Sequence, residues 1–198
     1  MRQVCGRAVA IAAALAIGVT GVASAQGRGQ APLAIPNPHY EVIELEIAVD
    51  RPAAEVWKRI GKYCDIGEWF QLPCTILSGQ DGEVGAVRSV ANEILVAKTE
   101  MSYTYTQPVR VGVPYNLYHG TLEARPVTPK TSKLLYTLVF DNSMLADDAA
   151  RAQDRERRTT TFNRALQNMK TLAEGGTLPP PAPRGGGAGG GGAAGRGN

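Results

Sequence analysis

The sequence predicts an α+β domain, one antiparallel sheet covered on one side by helices, the last of them long. Three observations predict it. Residues Tyr40–Val49 alternate, with Ile43, Leu45, Ile47 and Val49 on one face and Glu44 and Glu46 on the other, the period of a half-buried strand with one wet face. Six further strand-length segments follow, separated by turn residues. Near the C-terminus Phe162, Leu166, Met169 and Ala173 recur at helical spacing, one apolar stripe to lay against a sheet. A sheet with helices on one side is the layer solution for this order.

Each element has a local reason. After the first strand, Asp50-Arg51-Pro52 opens a helix, proline supplying the φ of a first turn. Val56, Trp57 and Ile60 give that helix its apolar side and Gly61 ends it. Asp65–Phe70 reads as a second short helical turn ending in Trp69-Phe70. The strands expected next are Thr75–Ser78, Ala86–Val90, Glu93–Glu100, Ser102–Gln107, Tyr115–Arg125 and Lys133–Phe140. Gly79-Gln80-Asp81-Gly82, Ala91-Asn92 and Thr128-Pro129-Lys130 supply hairpin turns. Asp147 or Asp148 starts the long helix, which runs to about Ala173. Its first half, Arg151–Thr161, is almost wholly polar and is expected to overhang something solvated, its charges forming an exposed face.

The ends read differently. Arg2 and Arg7, the apolar run Ala8–Val22 and then Ala23-Ser24-Ala25 make a secretory leader, cut after Ala25. Cys5 precedes that run, which excludes a lipoprotein signal. Residues 26–39 form a loose arm and 175–198 a Pro/Gly-rich tail with nothing to bury, leaving 40–174 as the domain. The chain has 198 residues and a net charge of +3, and losing Arg2 and Arg7 brings it nearer balance. A dedicated nucleic-acid binder would show a basic excess, so no nucleic acid is expected. The protein is expected to be periplasmic or secreted, with no membrane span left after cleavage.

Taken in order, the opening strand before Arg51-Pro52-Ala53-Ala54-Glu55-Val56-Trp57, Trp69 after the second helix, Gly85-Ala86-Val87-Arg88, Ser102-Tyr103-Thr104-Tyr105 and the Phe162–Leu172 stripe resemble the START-like helix-grip superfamily (SRPBCC), in its polyketide cyclase/dehydrase and lipid-transport branch. The resemblance covers 40–173. It implies a seven-stranded sheet curled around the C-terminal helix and enclosing a cavity.

Strand parity sorts the residues that face such a cavity. Leu134, Tyr136, Leu138 and Phe140 are bulkier than their alternates and are placed inward, as are Tyr118, Gly120, Leu122 and Ala124. His119 then faces solvent. Tyr103 and Tyr105 point inward, bringing an apolar body and a hydroxyl that wants a partner. Arg88 and Glu93 flank the Ala91-Asn92 turn and face each other across it. Both strands carry apolar residues on both faces, so parity leaves the direction open, with the outer face slightly favoured. Inside, Arg88 would hold a carboxylate. Trp69 and Phe70 would lie at the mouth in this fold, and Phe162 closes the helix side.

Cys64 and Cys74 remain after cleavage. An even pair in an exported chain reads as a disulfide, and neither cysteine has an adjacent histidine to activate it as a nucleophile. No triad, metal spacing or phosphate loop is readable, so no catalytic residue, metal or cofactor is assigned. The expected role is a monomeric, exported binding protein for a small hydrophobic molecule or lipid held between sheet and terminal helix. A cyclase- or hydrolase-like enzyme using the same cavity is the alternative, with Tyr105 and either Arg88 or Glu93 as its acid–base pair. A scaffold whose cavity is filled by its own side chains is the third reading.

Overall fold

The computed structural model describes residues 37–110 and 112–181; the expected leader, most of the arm and the Gly-rich end of the tail lie outside the described residues. The elements are β1 (Tyr40–Val49), α1 (Ala53–Ile60), α2 (Ile66–Trp69), β2 (Ile76–Ser78), β3 (Val87–Arg88), β4 (Glu93–Thr99), β5 (Ser102–Thr106), β6 (Asn116–Thr128), β7 (Thr131–Asp141) and α3 (Asp148–Ala173). One seven-stranded sheet runs in the order β1-β7-β6-β5-β4-β3-β2 with every neighbour antiparallel. Strands β2 to β7 are thus a continuous meander, and β1 closes it from the far side of β7. The curved sheet with a long terminal helix and two short helices after the first strand is the α+β helix-grip arrangement.

The inner face is the one parity selects. Leu134, Tyr136, Leu138 and Phe140 of β7 are fully buried, as are Tyr118, Leu122 and Ala124 of β6. Phe162, Ala165, Leu166, Met169 and Leu172 of α3 bury against the same cluster. In α1, Pro52 stands at the N-cap, Val56 and Ile60 are buried, and Gly61 donates its backbone N–H to Trp57 O at 2.8 Å. Asp147 caps α3, its Oδ1 accepting the Ala150 N–H at 2.8 Å. Among the described residues no helix is long and apolar enough to cross a membrane.

The polar half of α3 departs from expectation. Most of its residues are exposed as expected, but one side is not: Asp154 is buried and holds Arg158 at 2.7 Å, and the Arg158 guanidinium lies over the rings of Phe140 and Tyr115 at 4.3 and 4.7 Å. An arginine stem and a planar cation cover aromatic surface as an apolar residue would, so this end of the sheet is closed by a paired charge.

Candidate ligand-binding site

The β3–β4 hairpin turns at Ala91 and Asn92, both left-handed (φ 52° and 54°), with Glu93 N–H donating to Val90 O at 3.0 Å. Paired positive φ values match the right-handed twist of a hairpin. The turn sets Arg88 opposite Glu93, and both side chains turn inward, correcting the weight given to the outer face. The wall they meet is aromatic. Arg88 lies over the Tyr63 and Tyr105 rings at 4.3 and 4.7 Å, a surface that accepts a guanidinium and that apolar counting along a strand does not register.

Arg88 Nε donates to Glu93 Oε2 at 2.7 Å and Nη1 to Tyr63 O at 2.6 Å. Nη2 sits 2.5 Å from the same carboxylate oxygen but makes no aligned hydrogen bond. Glu93 Oε1 accepts Gln107 Nε2 at 2.8 Å, and Tyr115 donates its hydroxyl to Gln107 Oε1 at 2.6 Å. Burial pushes the Glu93 carboxyl up, with Arg88 and Gln107 opposing it. Burial also works against the Arg88 charge, yet the Tyr103, Glu93, Tyr105 and Tyr136 oxygens hold its pKa above the ordinary guanidinium value. The pair stands as an ion pair whose carboxylate accepts a hydrogen bond at each oxygen.

Beside this pair lies a cleft of about 510 Å³, bounded by Trp57, Gly61 and Tyr63 from α1 and its exit, by Gly82, and by Leu95, Lys98, Thr99, Glu100, Ser102 and Tyr103 from the β4–β5 hairpin. Its walls are rings in contact: Tyr103 meets Tyr63 edge-on at 5.4 Å and Trp57 at 5.6 Å. Gly61 is required here, because a Cβ would lie 2.5 Å from the Trp57 ring. The hydroxyls of Tyr63 and Tyr103 are buried without a hydrogen-bond partner. Burial pushes both phenols up in pKa, with Arg88 opposing in each case. Each orphaned hydroxyl costs about 1–3 kcal/mol.

The predicted lining residues fall into one contiguous interior set. Trp69, Phe70, Phe162 and Tyr136 form a chain of rings, with Trp69–Phe70 at 5.0 Å, Phe70–Phe162 at 5.4 Å and Tyr136–Phe162 at 4.7 Å. Tyr105 and Tyr136 share a hydroxyl–hydroxyl bond of 2.9 Å, and Tyr118 lies 6.2 Å from Tyr105. Trp69 is fully buried and Phe70 half-buried, so the tryptophan sits within the packed interior. Of the nine residues singled out as lining, Tyr103 alone borders the cleft. Trp57, Tyr63 and Leu95 were missed. The available signal was an aromatic residue between the helix-stopping Gly61 and Cys64, whose partner Cys74 pins that segment.

Cys64 and Cys74 are disulfide-bonded, their Cα atoms 5.6 Å apart. His119 is half-buried, its Nδ1 2.9 Å from Leu117 O, and His39 Nδ1 lies 2.8 Å from Asn142 Oδ1. Among the described residues no group of three or more His, Cys, Asp or Glu side chains is placed to hold a metal ion.

The sequence profile of the "Polyketide cyclase / dehydrase and lipid transport" family matches residues 41–174. Similar solved structures include a protein of Nitrosospira multiformis (24% identity, 67% of this chain and 96% of that one, TM-score 0.54) and a protein of Thermobifida fusca (22%, 69% and 97%, 0.57). The Zhui aromatase/cyclase of Streptomyces sp. R1128 is also similar (18%, 70% and 100%, TM-score 0.53). At these identities the likeness is one of fold. Comparison with curated proteins gives no match. With a family profile spanning every element from β1 to the end of α3, the chain belongs to the polyketide cyclase/dehydrase and lipid transport family.

Proposed function

We propose that this protein is an exported, monomeric binding protein for a small, largely apolar ligand, which enters the helix-grip interior through the cleft between α1 and the β4–β5 hairpin. The observation that carries the reading is the cleft itself, an aromatic-walled space of about 510 Å³ whose lining includes two tyrosines with unpartnered hydroxyls. Such a site binds by removing apolar surface from water, with a few polar groups fixing orientation. The leader-like N-terminus and the Cys64–Cys74 disulfide support export, since a structural disulfide suits an oxidising compartment. The packed rings of Trp69, Phe70, Tyr105, Tyr118, Tyr136 and Phe162, with Arg88 and Glu93, form the interior behind the wall that Tyr103 presents to the ligand.

The inward Arg88–Glu93 pair favours a second reading, acid–base catalysis on a bound ligand. Against it, one oxygen of Glu93 is occupied by Arg88 and the other by Gln107. A general base must lie within hydrogen-bond reach of the proton it abstracts, and Glu93 does not border the cleft.

The test is amide chemical-shift mapping while naphthalene is titrated in. Saturable shifts gathered at Trp57–Tyr63 and Leu95–Tyr103 are expected. Shifts that never saturate, or that gather elsewhere, contradict the reading.

A further inference from the structure

One border of the cleft is built unlike the others. The β2–β3 loop, residues 79–85, holds three glycines at positive φ, Gly79 at 76°, Gly82 at 76° and Gly85 at 93°, and at Gly82 and Gly85 a Cβ would meet nothing within 4 Å. Glycine crosses between negative and positive φ at little cost, so the chain can pivot at either end of this loop. Between those ends Gln80, Asp81, Glu83 and Val84 are exposed. Glu83 N–H to Gln80 O at 3.1 Å and Ala86 N–H to Glu83 O at 2.9 Å close turns along the loop, and Gly85 N–H fixes its base to Leu95 O at 2.8 Å. Among the described residues one side chain joins the tip to β4: Lys98 donates Nζ to Gly82 O at 2.9 Å and to Glu83 Oε1 at 2.8 Å. Gly82 and Lys98 both line the cleft. Burial raises the pKa of the Asp65 carboxyl and the Asp81 charge adds to it, so the loop is also repelled from the connection between α1 and α2.

Resting on the binding reading above, we propose that residues 79–85 are a lid on the cleft, latched by Lys98 on Glu83 and on the Gly82 carbonyl. Latched, the loop holds the mouth at its present width. Released, it swings on Gly79 and Gly85 and lets the ligand pass. The Lys98 and Glu83 side chains are 41% and 60% exposed, and an exposed ion pair shifts an equilibrium by up to about fivefold and is screened by salt. Ionic strength therefore sets how often the lid opens.

Trp57 lines the cleft and is half-buried while Trp69 is fully buried, so acrylamide quenching of tryptophan fluorescence reads the opening in the protein without ligand. Acrylamide is uncharged, so salt acts on the latch and not on the quencher. The unaltered protein is expected to be quenched more strongly at about 0.5 M than at about 0.02 M sodium chloride, by up to about fivefold. Glu83→Gln, which cuts the latch and leaves the cleft lining intact, should show the high-salt value at both concentrations. Quenching of the unaltered protein that ignores salt, or a variant that is quenched no more than the unaltered protein at low salt, would overturn the lid. The salt comparison needs no variant and stands whatever Glu83→Gln does to folding. With naphthalene as the probe, amide line shapes should give faster association and dissociation in Glu83→Gln, with shifts at the same cleft residues. Equal rates in the two proteins would overturn the lid and leave the binding reading intact. Shifts absent from the cleft in both would remove the binding reading, and the lid's role with it, whatever the quenching shows.

Discussion

At Arg88 the guanidinium is wholly buried and meets a carboxylate, a backbone carbonyl and two aromatic faces. Breaking such a pair leaves a buried charge alone, so Arg88→Met is expected to cost about 3–5 kcal/mol in urea unfolding. The double variant Arg88→Met/Glu93→Leu should recover most of that loss, because the penalty lies in the orphaned charge and not in the missing contact. A double variant as unstable as the single one would contradict this. Gly120 makes a different residue-scale claim. A Cβ there would lie 2.4 Å from the Tyr105 ring and hydroxyl. Gly120→Ala is therefore expected to push Tyr105 off its 2.9 Å bond to Tyr136 and to destabilise by about 1–3 kcal/mol, as overpacking does. A melting temperature equal to that of the unaltered protein would mean that β6 yields more easily than the packing implies. Parity along β5, β6 and β7 made Tyr103, Tyr105, Tyr118 and Tyr136 legible as inward. It was silent on Arg88 and Glu93, because β3 and β4 are too short and too apolar on both faces to declare a side.

Among the elements, the short segment α1–α2 does the most to shape the cleft. The Cys64–Cys74 bridge closes a loop around α2 directly after Tyr63, whose carbonyl accepts from Arg88 and whose ring walls the cleft. By the chain-entropy account a loop of this length contributes about 3 kcal/mol. Reduction is expected to lower stability by roughly that amount and to weaken probe binding, measured by urea unfolding and titration with and without reductant. Unchanged binding in reduced but folded protein would separate the bridge from the site. β1 shows a second device. As an edge strand it would expose free carbonyls, but Val42 O accepts from Arg155 at 3.0 Å and Ala48 O from Lys170 at 2.8 Å. Charged side chains from α3 thereby block edge pairing. Here the sequence was half legible. The stripe Phe162–Ala173 identified the buried half of α3, whereas the work of Asp154, Arg155 and Arg158 was hidden, since they act as paired ions, Asp154 alone buried, and the helical period counts only apolar residues. The cleft was also illegible, being built where α1 meets a hairpin more than thirty residues further along.

For the whole molecule, the interior is unusually phenolic. Five of the seven tyrosines, Tyr63, Tyr103, Tyr105, Tyr118 and Tyr136, have burial as the main cause of a raised pKa. The sign follows from linkage. An acid whose folded pKa is above its unfolded value contributes stability fully below the unfolded value, about 10 for a phenol, and loses it as pH rises toward the folded value. Stability is thus expected to fall at alkaline pH, and absorbance titration should show these phenols ionising well above the ordinary range, together with unfolding. Ionisation of all seven at an ordinary phenol pKa in a still-folded protein would refute the packing described. The strands along the chain, both short helices and the extent of α3 were readable from alternation, turn residues and the Asp147 or Asp148 start, because each is a local rule. The position of the opening depends on how those elements meet.

The central claim is that a small, largely apolar molecule occupies the cleft between α1 and the β4–β5 hairpin. Native mass spectrometry of the protein isolated from its own cells, followed by denaturing extraction, tests it most directly. The account predicts a mature chain beginning at Gln26 with one disulfide, carrying a single small, largely apolar passenger that is lost on denaturation. A chain that is reproducibly empty would contradict it.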